Sequence, residues 1–177
     1  MYVYRVDARE FSVGDIITNS NGEYQGKFKG EKQILEDFLR RTSPENTPSR
    51  SNVLFLFINL SDAIRFWKRY GGNIYVVLSQ GVVYHRGDMN KLDNLLDIIR
   101  FSENEDLYVS AANEYWKPGT HTFSPAYELL CESAEVLKLI LTEEDRASFE
   151  KELAAKTYIE RTPTYLRLLN EMAGIAN

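Results

Sequence analysis

Apolar and polar positions alternate from the first residues of this chain. Tyr2, Tyr4 and Val6 fall on one side of an extended backbone and Val3, Arg5 and Asp7 on the other. A period of two with β-branched and aromatic residues predicts a strand. Ser12 to Gly30 is rich in Gly, Asn, Ser and Lys and contains the turn signal Asn21-Gly22. A helix follows from Glu31 to Arg41, with Ile34, Leu35, Phe38 and Leu39 as its apolar face. Pro44 and Pro48 make Thr42 to Ser51 a loop, and Val53 to Ile58 is the best candidate for a buried strand. Asn59-Leu60-Ser61-Asp62 reads as a helix start, and Ala63, Ile64, Phe66, Trp67 and Tyr70 continue at helical spacing until Gly71-Gly72.

Beyond that point the pattern predicts short strands at Ile74 to Leu78 and Val82 to Tyr84, with Ser79-Gln80-Gly81 between them as a hairpin-like step. A helix near Met89 to Phe101 comes next, then a helix or irregular acidic segment over Glu103 to Trp116. Pro118-Gly119 breaks the chain, Pro125 precedes a strand from Ala126 to Cys131, and Val136 to Leu141 is the following strand. Thr142-Glu143-Glu144-Asp145 resembles a capping box opening a helix to about Lys156, and a second helix with Leu166, Leu168, Leu169 and Met172 follows Pro163.

With 177 residues and 44% hydrophobic content, the chain suits one well-buried core and a single globular domain. No stretch approaches the roughly 18 apolar residues of a membrane span, and the strand pattern at the N-terminus is unlike a secretory segment. The expectation is a cytoplasmic protein without a membrane partner. A single cysteine, Cys131, excludes an internal disulfide, and His85 and His121 alone give no zinc cluster. Cys131 lies in an apolar run and is expected in the core.

The net charge of −5 is unevenly spread: residues 1–100 hold 14 Lys and Arg against 12 Asp and Glu, and residues 101–177 hold 7 against 14. An acidic whole argues against general nucleic-acid binding. Lys27, Lys29, Lys32, Arg40, Arg41 and Arg50, near Tyr24, Phe28 and Phe38, nevertheless offer a local basic patch for RNA.

An arginine inside a strand needs an anionic partner, from the protein or from a ligand. For Arg5 the simplest partner is a carboxylate of the chain itself. The run Tyr4-Arg5-Val6-Asp7-Ala8-Arg9 resembles the first strand of the bacterial-toxin class of ADP-ribosyltransferases, the cholera- and pertussis-toxin type, which carries Tyr-Arg-x-Asp-x-Arg. The resemblance implies an α+β fold in which two small β-sheets face each other across an NAD cleft, with flanking helices. It covers residues 1–141 as the ADP-ribosyltransferase-like domain and leaves 142–177 as a helical extension packed on it. It also implies that Arg5 steadies the fold and holds the NAD phosphates and ribose.

The family's late-strand glutamate corresponds to Glu128 in Ser124-Pro125-Ala126-Tyr127-Glu128-Leu129-Leu130. Cleavage of the nicotinamide glycosidic bond develops an oxocarbenium-like ribose, which a carboxylate stabilises while holding the 2′-hydroxyl. The competing reading is a strand-edge glutamate facing solvent, opposite Tyr127 and Leu129. Ala126 stands where protein-modifying members often carry Glu or Gln, so acceptor preference does not carry over. Phe55-Leu56-Phe57 stands where the toxins have Ser-Thr-Ser, and Arg50-Ser51-Asn52 just before the strand is the candidate to supply the missing polar contacts through the Ser51 hydroxyl and the Asn52 amide, with an ordinary polar strand entry as the alternative.

His85 and Arg86, in Tyr84-His85-Arg86-Gly87-Asp88, are candidates for a phosphate contact at a strand-to-helix corner, with a helix-capping Asp88 as the structural alternative. Tyr115-Trp116-Lys117-Pro118-Gly119 suits either a mobile aromatic loop that stacks on nicotinamide or an acceptor base, or core anchoring by Trp116, and Tyr24 is a candidate to cover NAD. The resemblance leads to a mono-ADP-ribosyltransferase that uses NAD as substrate, with Arg5 and Glu128 as catalytic residues, no metal, and a protein or RNA acceptor. Such a chain suits a toxin, a phage-defence effector or a phage protein with a neutralising antitoxin. NAD hydrolysis without a macromolecular acceptor, and a catalytically degenerate interaction module of the same fold, are the alternatives.

Overall fold

The computed structural model describes residues 1–19 and 28–155. The helix expected after Pro163 and the Asn21-Gly22 turn lie outside the described residues. The class is mixed α and β: strands β1 (Tyr2–Asp7), β2 (Ile16–Thr18), β3 (Leu54–Phe57), β4 (Asn73–Asp88) and β5 (Tyr127–Leu141) accompany helices α1 (Glu31–Thr42), α2 (Leu60–Tyr70), α3 (Met89–Phe101), α4 (Glu105–Trp116) and α5 (Asp145–Ala155). A single 3-10 turn, Arg50–Asn52, precedes β3. The hydrogen-bonded strand order is β2-β5-β3-β1-β4, and β5 also pairs with β4. β1 runs antiparallel to both β3 and β4.

The chain divides into two compact units, each built from separate stretches of sequence. The first takes residues 1–15, 57–78 and 135 onward, and the second takes 16–56 and 79–134. β4 and β5 each contribute to both.

In the first unit, Tyr4 pairs with Val76, Arg5 with Tyr75 and Asp7 with Asn73. Leu60, Ala63, Ile64 and Trp67 form the buried apolar stripe of α2, the i, i+3, i+4, i+7 spacing that turns one helical face to a core. Trp67 donates from Nε1 to the Gly72 carbonyl at 2.7 Å and meets the Phe149 ring edge-on at 5.7 Å. Gly71 (φ +77°) ends α2, and a Cβ at Gly72 (φ +93°) would lie 2.8 Å from the Asp7 carbonyl oxygen. Both glycines are therefore required where the chain turns back against β1.

In the second unit, α1, α3 and α4 enclose a core of Leu35, Phe38, Leu39, Val53, Leu95, Ile99, Tyr108, Ala112, Tyr115, Trp116 and Leu130. Cys131 is buried, as its apolar run predicts. Asp88 caps α3 and holds the chain that enters β5. Its Oδ1 accepts from the Asn90 and Ala126 amides at 3.1 Å, and its Oδ2 accepts from the Thr122 amide and hydroxyl at 2.7 Å.

Two expectations need correction. The pairs of short strands read at 74–84 and at 126–141 are single strands, 16 residues in β4 and 15 in β5. Ser79-Gln80-Gly81 bends β4 without ending it: Gly81 adopts φ +68°, and Val82 donates its amide to Glu132 Oε2 at 3.2 Å. β2 was also absent from the sequence reading, because three residues in a Gly- and Asn-rich stretch carry no period.

Candidate functional site

Glu128 lies in the second unit, 5% exposed, near the start of β5. Leu129, Leu130 and Cys131 after it are buried too, so both faces of the strand are covered there. The solvent-facing reading of Glu128 is overturned. A carboxylate so placed requires compensation, and it comes from residues far away in sequence. Arg50 NH1 donates to Glu128 Oε1 at 2.7 Å, and the Tyr115 hydroxyl donates to the same oxygen at 2.6 Å. Arg50 NH1 also donates to the Tyr115 oxygen. Among the described residues, Oε2 of Glu128 has no hydrogen-bond partner. Since no buried side-chain polar atom among those residues lacks a partner, this oxygen retains access to solvent.

Arg50 is the central cation of the site. The sequence places it both in a local basic patch for RNA and in the Arg50-Ser51-Asn52 run; at 7% exposed it does not belong to a surface patch. Its guanidinium lies over the rings of Phe55 and Tyr115, with centroids 4.8 and 5.1 Å away, and its Nε reaches Glu36 Oε2 at 3.3 Å. Burial opposes its charge, but Glu128, Tyr115 and Glu36 outweigh burial and raise its pKa above the ordinary arginine value. Burial raises the Glu36 carboxyl, with Arg50 pulling down and Glu128 pushing up. Burial likewise pushes the Tyr115 hydroxyl well above its usual value, against the pull of Arg50, so Tyr115 is a neutral donor.

The surroundings fix these groups. Asn19 donates to the carbonyls of Ser51 and Val53, each at 2.9 Å, and so clamps the turn that carries Arg50. Tyr115 and Trp116 end α4 rather than sitting in a mobile loop, and Trp116 donates from Nε1 to the Leu39 carbonyl at 3.0 Å. His85 packs at a tilt against both aromatic rings, with centroids 4.8 Å away, and its Nε2 lies 3.1 Å from the Tyr115 carbonyl. Burial lowers its pKa, opposed by Glu128 and by that carbonyl. Gly87 lies directly under the Tyr115 ring: a Cβ there would fall 2.8 Å from the hydroxyl oxygen.

The other candidates are placed as follows. Ser51 is half-buried, 2.9 Å from the Ser49 hydroxyl, and Asn52 is exposed and accepts from Ser51 at 3.3 Å. Neither is bonded to Glu128; the neighbouring Arg50 is. Arg86 is exposed, its guanidinium 4.3 Å from the Tyr127 ring. Tyr24 and Lys27 lie outside the described residues, and Lys29, Lys32, Arg40 and Arg41 are exposed.

Arg5, in the first unit, is 5% exposed and forms the carboxylate pair that the simplest reading expects. Its Nε and NH2 donate to Asp7 Oδ2 at 3.0 and 2.7 Å, and Arg9 NH2 reaches the same oxygen at 2.9 Å. Burial works to raise the Asp7 carboxyl, but hydrogen bonds from Arg9 and the charge of Arg5 bring it down to about 2.

Glu36 was missed from sequence; Arg50 entered only within the Arg50-Ser51-Asn52 run and Tyr115 only within the aromatic run 115–119, and neither was paired with Glu128. Tyr115 had a usable signal: it continues the buried stripe Tyr108, Ala112, Tyr115, and a hydroxyl at such a position needs a polar partner. In comparisons with known proteins, no family model matches this chain and no curated protein matches it significantly.

Proposed function

We propose that the protein is an NAD-dependent mono-ADP-ribosyltransferase in which Glu128 stabilises the transition state. One observation carries this reading. Glu128 is a buried carboxylate near the start of a late strand, with one oxygen bound by two donors and the other without a partner among the described residues. An anion so arranged accepts a ribose hydroxyl on the open oxygen and stabilises positive charge at the sugar. In the reaction, the bond between ribose C1′ and the nicotinamide nitrogen breaks, and its electron pair neutralises the pyridinium. A nucleophile of a protein or RNA acceptor then bonds to C1′ and loses its proton. The described strands form one five-stranded hydrogen-bonded sheet, so the facing-sheet core and the NAD-holding role of Arg5 are carried by the resemblance of the first strand, the late-strand glutamate and the element order.

The test is to incubate the full chain and its Glu128→Gln form with labelled NAD and cell lysate split into protein and RNA fractions. Label on one fraction that depends on Glu128 supports transfer and identifies the acceptor class. Nicotinamide release without label supports NAD hydrolysis. The absence of both signals refutes the proposal and favours an interaction module of the same fold, a reading to which the neutralisation of Glu128 by Arg50 and the presence of Phe55 lend weight.

A further inference from the structure

A buried carboxylate needs only one good cation for compensation, and buried polar atoms are ordinarily paired. The arrangement around Glu128 does something different. Two donors from separate elements, the turn before β3 and the end of α4, converge on Oε1, and Oε2 has no partner among the described residues. Each donor is itself held: Arg50 between Phe55, Tyr115 and Glu36, and Tyr115 between His85, Trp116 and the bare backbone of Gly87. Meanwhile Phe55-Leu56-Phe57 offers no hydroxyl to orient the glutamate.

We infer that Arg50 and Tyr115 are the positioning residues of Glu128, presenting its Oε2 as the acceptor for a ribose hydroxyl, and that Gly87 exists to seat the Tyr115 ring. The inference rests on the NAD-cleaving reading of Glu128. Positioning acts on the transition state, not on uniform binding, so its loss lowers kcat and leaves KM in place. The experiment measures initial rates of nicotinamide release across a range of NAD concentrations for the full chain and for Tyr115→Phe, Gly87→Ala, Arg50→Lys and Glu128→Gln, with circular dichroism melts of each. Tyr115→Phe retains the packed ring and removes the hydroxyl that donates to Glu128 and accepts from Arg50, which lowers kcat about tenfold with KM for NAD within about twofold. Gly87→Ala removes no donor, yet lowers kcat in the same manner because it displaces the ring. Arg50→Lys keeps the charge but loses the fork, and lowers kcat further. Wild-type kcat in Tyr115→Phe, or a loss confined to KM, overturns the positioning role while Glu128-dependent cleavage stands. Nicotinamide release that is absent, or equal in the wild-type and Glu128→Gln chains, overturns the reading of Glu128 and the positioning role with it.

Discussion

Replacing Arg50 with Met tests whether the second unit depends on this buried cation. Glu128, 6% exposed at its side chain, and Glu36, at 17%, would then share a site without the guanidinium that neutralises them. Removing one partner of a buried ion pair costs about 3–5 kcal/mol. The Tyr115 hydroxyl continues to donate to Glu128 and offsets about 1 kcal/mol of that, which leaves a net loss of roughly 3 kcal/mol, a large share of a typical domain's stability. Adding Glu128→Gln removes the orphaned charge while retaining an acceptor for Tyr115, so the double variant recovers roughly 2 kcal/mol relative to the sum of the singles. The protein has two tryptophans, Trp67 in the first unit and Trp116 in the second. Urea unfolding followed by fluorescence in a Trp67→Phe background therefore reads the second unit, and the cost of that background cancels around the cycle. An Arg50→Met loss below about 1 kcal/mol, or a cycle additive within about 0.5 kcal/mol, would refute the reasoning.

Three further outcomes follow from the same geometry. Asp88→Ala strands the buried Ala126 amide and the half-buried Thr122 amide and removes the α3 cap, which costs about 3 kcal/mol by thermal melting; Asp88→Asn retains one accepting oxygen and costs less. Asp7, brought down to about 2 from 3.8, contributes roughly 2 kcal/mol that is fully present above its unfolded pKa and is lost as pH falls from about 4 toward 2. Asp7→Asn removes that slope from acid-unfolding curves, and a slope unchanged by the substitution would count against the Arg5–Asp7–Arg9 account. His85 lies 4.8 Å from Trp116 with its pKa lowered from 6.5. Imidazolium quenching of Trp116 therefore sets in with a midpoint below 6.5 and vanishes in His85→Gln. The depressed pKa also means that stability falls as pH drops through 6.5 toward the folded value, because the unfolded chain takes up the proton first.

Periodicity located α1, α2 and α3 well because each buries a single stripe. α2, for example, starts and stops where its cap-like Asn59 and Gly71 predict. It failed in β4 and β5, where Gln80, Gly81 and Glu132 look like interruptions. Their polar groups are used within the sheet, as in the Val82 amide bond to Glu132, and a left-handed glycine bends the strand without ending it. Sequence reasoning selected Glu128 as the one acid in a late apolar run, but it left open whether that acid is buried. That depended on Arg50, which is 78 residues away; its place just before a buried strand drew notice to the run Arg50-Ser51-Asn52, but nothing local pairs it with Glu128.

The two buried arginines differ for the same reason, and the difference bears on where the chemistry is to be sought. Arg5 and Asp7 are two apart on one strand, so the period of two places them on the same face and the pair forms from local sequence alone. Asp7 takes both Arg5 and Arg9, and its depressed pKa reflects a carboxylate whose charge is satisfied by its neighbours. Such a group stabilises a strand without needing a ligand. Glu128 is compensated through one oxygen only, by donors that reach it only once α1, α4 and the turn before β3 have packed. Only the second arrangement leaves an anionic acceptor open while holding its other oxygen in place. For this reason the first substitution worth making for activity is at Glu128, and a loss of NAD cleavage in Arg5→Ala is to be credited to chemistry only if the first unit still folds.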